Sequence, residues 1–205
     1  MRLFMIRHGE SENNQKKLFT GWVDCPLTEK GIKEAESIRS FMSSFKFDKV
    51  YSSDLCRAIQ TAKIVFPNRE PETSALIRER SLGALENQPI VFTDPDIQEA
   101  FKTMDFTRFG GEDRQMLSER LEQFLATLEA SDHNNVAVFT HGGILSRMLR
   151  LVIGEHDSSA VRRPNCTIAV FDYTNNKWML TGWLDPALLI AADSYSLDKK
   201  DYFII

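Results

Sequence analysis

Two histidines in this sequence occupy the same kind of place. His8 and His141 each follow directly on a short apolar run, and each precedes a glycine. Arg7 adjoins the first, and Arg57 falls in the opening turns of a segment with helical periodicity. A guanidinium fork matches the oxygens of a phosphoryl group and stays charged at any working pH. Gly142 and Gly143 begin a further helical segment, whose free N–H groups favour an anion. Two imidazoles, two guanidiniums and helix N-termini together describe a phosphate pocket. Taken singly, each histidine is more simply a turn residue, and Arg57 has the alternative of a surface ion pair. The combination is what weakens those readings.

A neutral imidazole nitrogen is nucleophilic near neutral pH when its other nitrogen keeps a proton in a hydrogen bond. The tight turn at His8-Gly9 brings backbone carbonyls near enough for that. A phosphoryl group taken by His8 would divide one difficult displacement into two easier ones, with the second imidazole and the arginines on the equatorial oxygens. The leaving alkoxide also needs a proton. The carboxyl most worth examining for it is Glu79, in Ile77-Arg78-Glu79-Arg80. Spacing alone reads it equally well as a solvated charge between two arginines.

These residues must be positioned by the elements around them. Residues 2–6 form an apolar run typical of a buried strand, ending in Arg7-His8-Gly9. From Thr28, an acceptable N-cap, the spacing of Ile32, Ala35, Ile38, Met42 and Phe45 predicts a helix. Residues 49–52 read as a second strand. Asp54 can cap the helix carrying Leu55, Ala58, Ile59, Ala62 and Val65, which Pro67 stops. Residues 72–77 suggest a weaker third strand. Beyond Gly110-Gly111 a helix should reach about Ala130, burying Met116, Leu117, Leu121, Phe124, Leu125 and Leu128. Residues 136–140 are the clearest strand and run straight into His141; residues 144–153 continue as a helix. Residues 167–173 and 177–183 read as a hairpin turning at Asn175-Asn176. Strands alternating with helices predict an α/β fold, a three-layer α/β/α sandwich on a mostly parallel sheet. If the first strand and the 136–140 strand are neighbours, their histidines meet beyond the strand ends, where ligands bind in such sheets. No linker or repeat divides the 205 residues. One domain with an inserted cap at about 85–110 is the expected organisation.

The composition excludes several classes. It is 42% hydrophobic and 26% charged, close to an average globular protein and far from a disordered chain. A net charge of -4 gives no global basic field, so nucleic acid is not an expected partner. No run approaches a membrane span, and the start, Met-Arg-Leu-Phe-Met-Ile-Arg-His, does not resemble a signal peptide. Three scattered cysteines, Cys25, Cys56 and Cys166, show no metal-type pairing and fit a reduced, cytoplasmic compartment.

The run Leu3-Phe4-Met5-Ile6-Arg7-His8-Gly9-Glu10-Ser11 resembles the signature of the histidine phosphatase superfamily, in its phosphoglycerate mutase-like branch. The similarity continues through Asn14 and Phe19-Thr20-Gly21-Trp22, and on to Gly31. It resumes at Tyr51-Ser52-Ser53-Asp54-Leu55-Cys56-Arg57, Arg78-Glu79-Arg80-Ser81-Leu82-Gly83, Gly110-Gly111-Glu112 and Thr140-His141-Gly142-Gly143. The resemblance implies that His8 is the phosphorylated nucleophile and Glu79 the proton donor. Arg7, Arg57 and His141 would hold the phosphate, with Gly142 beside them. Asn14, Thr20 and Gly21 fall where the family contacts phosphate and substrate. No metal and no cofactor are implied.

Three activities then compete. In a phosphatase, water discharges phospho-His8; in a mutase, the group returns to another hydroxyl of a retained intermediate; a silent binder would do neither. Every expected catalytic position is filled, which disfavours the binder. A mutase needs extra cations for the distal group. Residues 85–110 hold only Lys102 and Arg108 against Glu86, Asp94, Asp96, Glu99 and Asp105. Asn13 replaces a family tryptophan, and Leu82 stands where mutases usually have an aromatic. The expectation is therefore a phosphatase acting on a phosphorylated small molecule. Phe92, Phe101, Phe106 and Phe109 would more often hold the cap together than line a substrate wall. The apolar residues Tyr202, Phe203, Ile204 and Ile205 are candidates for packing on the core or on a second subunit in a homodimer.

Overall fold

The computed structural model describes residues 1–154 and 161–187. The terminal apolar residues Tyr202 to Ile205 thus lie outside the described residues. Six strands form one sheet: β1 (Arg2–Arg7), β2 (Lys49–Ser53), β3 (Glu72–Ser74), β4 (Asn135–Thr140), β5 (Ile168–Thr174) and β6 (Lys177–Leu184). Their spatial order is β3-β2-β4-β1-β5-β6. The first four run parallel, β5 is antiparallel to β1, and β6 is antiparallel to β5. Among the described residues the helices are α1 (Glu12–Gln15), α2 (Glu29–Ser43), α3 (Cys56–Val65), α4 (Pro95–Thr103), α5 (Arg114–Glu129) and α6 (Gly142–Ile153).

β1 is apolar on both sides because both faces of the sheet are covered. Phe4 and Ile6 pack in a core with Ala35, Ile38 and Met42 of α2 and Ala62 and Val65 of α3. Leu3 and Met5 face the opposite core, with Leu117 and Leu121 of α5 and Ile144, Leu145 and Met148 of α6. β4 alternates in the same way, sending Ala137 and Phe139 to the first core and Val136 and Val138 to the second. The architecture is the expected three-layer α/β/α sandwich.

Thr28 caps α2 as predicted, its hydroxyl accepting from the Gly31 amide at 3.1 Å. The hairpin turns at Asn175 and Asn176, with φ of 52° and 59°. Two successive positive φ values make the primed turn whose twist suits a hairpin. Some local expectations are corrected. Asp54 does not cap α3: its carboxylate takes a bidentate pair with Arg78 at 2.6 and 2.7 Å. Two charge-assisted bonds outcompete one cap. Instead Asp24, from a distant loop, accepts from the Cys56 amide at 2.6 Å. Met116 and Ile32 are exposed, not buried. Each lies about 100° around its helix from the buried stripe that begins at the next or preceding position, Leu117 and Gly31. The third strand stops at Ser74 and closes with one 3-10 turn, Ala75–Ile77.

The stretch 85–110, irregular in its sequence, contains a helix, α4. Its signal is local: Asp94 caps it, accepting from the Asp96 amide at 2.8 Å, and Pro95 opens the first turn. A third apolar cluster, Phe19, Leu85, Ala100 and Phe106 with Leu82, Ile97, Phe101, Met104 and Phe109 against it, holds this part of the chain together.

Candidate active site

β1 and β4 are adjacent, with Arg7 opposite Thr140. The next residue of each strand is therefore a histidine at the carboxyl edge of the sheet, and the ring centroids of His8 and His141 lie 5.1 Å apart. α3 leaves β2, on the other side of β4, and supplies Arg57. That side chain is wholly buried. Its Nη1 and Nη2 donate to the carbonyls of Val23 at 2.8 Å and Gly21 at 2.9 Å, and its Nε points at His8 Nε2 at 3.3 Å.

The tautomer of His8 follows from its partners. Nδ1 lies 2.7 Å from the Gly9 carbonyl, which can only accept, so Nδ1 carries the proton. Nε2 keeps its lone pair and faces Arg57. Gly9 is itself seated against the backbone of Gly31 at the start of α2, where a side chain on either residue would collide with the other strand of chain. Burial, reinforced by the charges of Arg57 and Arg7, holds His8 well below the usual histidine range. Burial, Arg57, His8 and Arg7 do the same for His141. Both rings are neutral at neutral pH. Neither nitrogen of His141, nor Nε of Arg7, has a hydrogen-bond partner among the described residues. Buried polar atoms left so are costly, and the oxygens of an anion would satisfy them. Arg7 also donates from Nη1 to the Arg163 carbonyl.

Glu79 reaches the same place from a loop that several groups hold down. Its carbonyl accepts from Trp22 Nε1 at 2.7 Å and from Arg120 at 3.3 Å. Arg120 in turn pairs with buried Glu112 at 2.7 and 2.8 Å, and Glu112 accepts from the Ser81 amide at 2.9 Å. The carboxylate of Glu79 accepts from the amides of Arg80 at 2.8 Å and Gly143 at 3.0 and 3.1 Å. It therefore sits on the N-terminus of α6, where the helix dipole favours it. A Cβ at Gly143 would overlap Glu79 Oε1, so this close seat requires glycine.

These groups line a cavity of about 430 Å³ whose walls include Arg7, His8, Asn14, Thr20, Gly21, Arg57 and Glu79. His141 lies buried beside His8. Gly143 rather than Gly142 forms the wall; Gly142 borders the Arg7 guanidinium. Arg80, Arg114, Arg147 and Arg150 also line the cavity, so part of its positive charge comes from α5 and α6, whereas Lys102 and Arg108 are not among its lining residues. The arrangement can grip a phosphoryl group, present an imidazole lone pair to it and hold a carboxyl nearby. Cys56 offers no rival nucleophile, since burial and Asp24 push its thiol up to about 12. Among the described residues, no three His, Cys, Asp or Glu side chains cluster as metal ligands would.

The chain is 30% identical over 208 residues to "Probable phosphoglycerate mutase GpmB" of Yersinia pestis, an alignment covering 97% of this chain and 95% of that one. A candidate alpha-ribazole-5'-P phosphatase from Escherichia coli superposes with a TM-score of 0.79 at 28% identity, over 91% of this chain and 98% of that one. A phosphoglycerate mutase from Thermus thermophilus superposes at 0.68 with 28% identity, over 90% and 99%. The family model of the histidine phosphatase superfamily (branch 1) matches residues 3–186, and the chain belongs to that family.

Proposed function

We propose that the protein is a metal-independent phosphatase that hydrolyses a small-molecule phosphomonoester through a phosphohistidine on His8. The observation that carries this reading is the orientation of His8: Nδ1 is committed to the Gly9 carbonyl, leaving the Nε2 lone pair beside the Arg57 guanidinium. Nε2 attacks phosphorus as the bond to the ester oxygen breaks. Arg7, Arg57 and His141 stabilise the charge on the equatorial oxygens. A proton passes from the Glu79 carboxyl to the departing alkoxide. Water then attacks phospho-His8 and loses a proton to Glu79, which releases inorganic phosphate and restores both residues.

A second reading, phosphoglycerate mutase, gains from Arg114, Arg147 and Arg150, which supply cations for a distal anionic group. The named relatives divide between the two activities. The test is to incubate the protein with 3-phosphoglycerate and with simple alkyl phosphates, with and without 2,3-bisphosphoglycerate, in excess chelator. Net phosphate release is expected, with an acid-labile label on the protein that His8→Ala abolishes. Primer-dependent isomerisation much faster than phosphate release would replace the phosphatase by the mutase. Labelling that persists in His8→Ala would overturn the nucleophile.

A further inference from the structure

Part of the cavity wall is apolar. Phe19 stacks on Phe101, with ring centroids 5.2 Å apart and planes at 25°, and Phe92 meets Phe101 edge-on at 5.0 Å. Phe106 meets Phe101 edge-on from another side at 4.9 Å. Phe106 and Phe19 are buried and give the cluster its anchor, whereas Phe92 is 47% exposed and Ile90 44% exposed, both on the cavity wall. Large apolar side chains left half-exposed in a concave site are characteristic of ligand contact.

The wall is also fixed in distance from the phosphate end. The segment carrying Ile90 is zipped to the segment that leads into Thr20 and Gly21. The Phe19 amide donates to the Gln88 carbonyl at 2.9 Å, the Asn87 amide to Phe19 at 2.8 Å and the Ile90 amide to Lys17 at 2.9 Å. Gly21 in turn receives Arg57. Gln98 of α4 donates to the Phe92 carbonyl at 2.5 Å and holds that residue to the cap helix. A small, wholly polar ester bound at His8 would touch the arginine side and leave this aromatic surface in water. An ester with an apolar body would cover it.

We infer that the substrate is a phosphomonoester whose alcohol carries an aromatic or comparably flat apolar body, seated against Ile90, Phe92 and Phe101. The inference rests on the phosphomonoester reading of the same cavity, and the test separates the two. Calorimetric binding of 3-phenylpropylphosphonate is compared with that of propylphosphonate, which cannot be hydrolysed at the P–C bond. Phosphate release is measured in parallel on the corresponding phosphate esters, whose leaving alcohols are alike. The phenyl compounds should bind and turn over with about tenfold or greater preference. Phe92→Ser and Ile90→Ser, both at exposed positions, should each shrink that ratio. Equal affinities for the two phosphonates, or a preference that both variants retain, would overturn the inference while leaving the phosphatase standing if phosphate is released. A binding preference without phosphate release from any ester would support the apolar subsite and overturn the phosphatase.

Discussion

Replacing His141 by Gln probes the electrostatic character of the site without touching its nucleophile. His141 is fully buried, and burial together with Arg57, His8 and Arg7 sets its pKa well below the ordinary 6.5. In the unfolded chain the same imidazole titrates near that ordinary value. As pH falls through it, the unfolded chain gains a proton that the folded protein refuses. Stability therefore declines on acidification and is level above the ordinary value. The slope is at most ~1.4 kcal/mol per pH unit, which sets a ceiling of ~2 kcal/mol on the loss between about pH 7.5 and about pH 5 for this one residue. Glutamine carries no such linkage, and His8 is present in both proteins, so the difference between them reports His141 together with its coupling to His8. Paired carboxylates such as Asp54 act in the same direction, but only as pH falls toward their unfolded value of 3.8, below the window. Urea unfolding across the window should show wild type losing more stability than His141→Gln, by up to ~2 kcal/mol, whatever the variant's stability at neutral pH. Parallel curves would mean that His141 takes a proton inside the folded site. A pair of neutral imidazoles flanked by arginines would then be the wrong description.

Two further outcomes follow from the seat of Glu79. Glu79→Gln should slow hydrolysis of alkyl phosphates far more than that of aryl phosphates, whose leaving groups need less protonation; equal losses in kcat would assign the side chain a positioning role instead. Gly143→Ala should displace the carboxylate from the α6 amides and lower kcat on alkyl phosphates by about a hundredfold with an unchanged circular dichroism spectrum, and an unimpaired kcat would show that this seat is not needed.

Much of the site was legible because its residues stand at breaks in pattern. His8 and His141 each interrupt an apolar run, and a strand buried on both faces must end where such a run ends. Glu79 was ambiguous in one dimension because its partners, the amides of Arg80 and Gly143, are backbone groups with no sequence signature. Arg114, Arg147 and Arg150 were invisible as cavity residues. An arginine on a helix reads as solvated until the cavity it lines is known, and here residues from 82 to 106 supply most of the apolar part of that lining. Arg120 was hidden for the same reason, its partners being carbonyls of a loop more than forty residues earlier in the chain. The exposure of Met116 and Ile32 is a matter of helical phase, which spacing alone leaves open by a single position.

The order of strands also bears on how the molecule comes into being. Leu3 pairs with Val136 on one side and Phe171 on the other, so β1 has no partner in the first half of the chain. β2 and β3 can pair as soon as they are made, yet β1 waits until β4 has been made. β1 leaves the ribosome well before its partners, carrying Leu3, Phe4, Met5 and Ile6, and non-local parallel pairing is slow once the partner arrives. An apolar strand exposed for that long is a target for aggregation and for the chaperones that suppress it. The His8 imidazole becomes competent only when β4 inserts between β1 and β2, so a nascent chain halted before residue 140 carries His8 without a site.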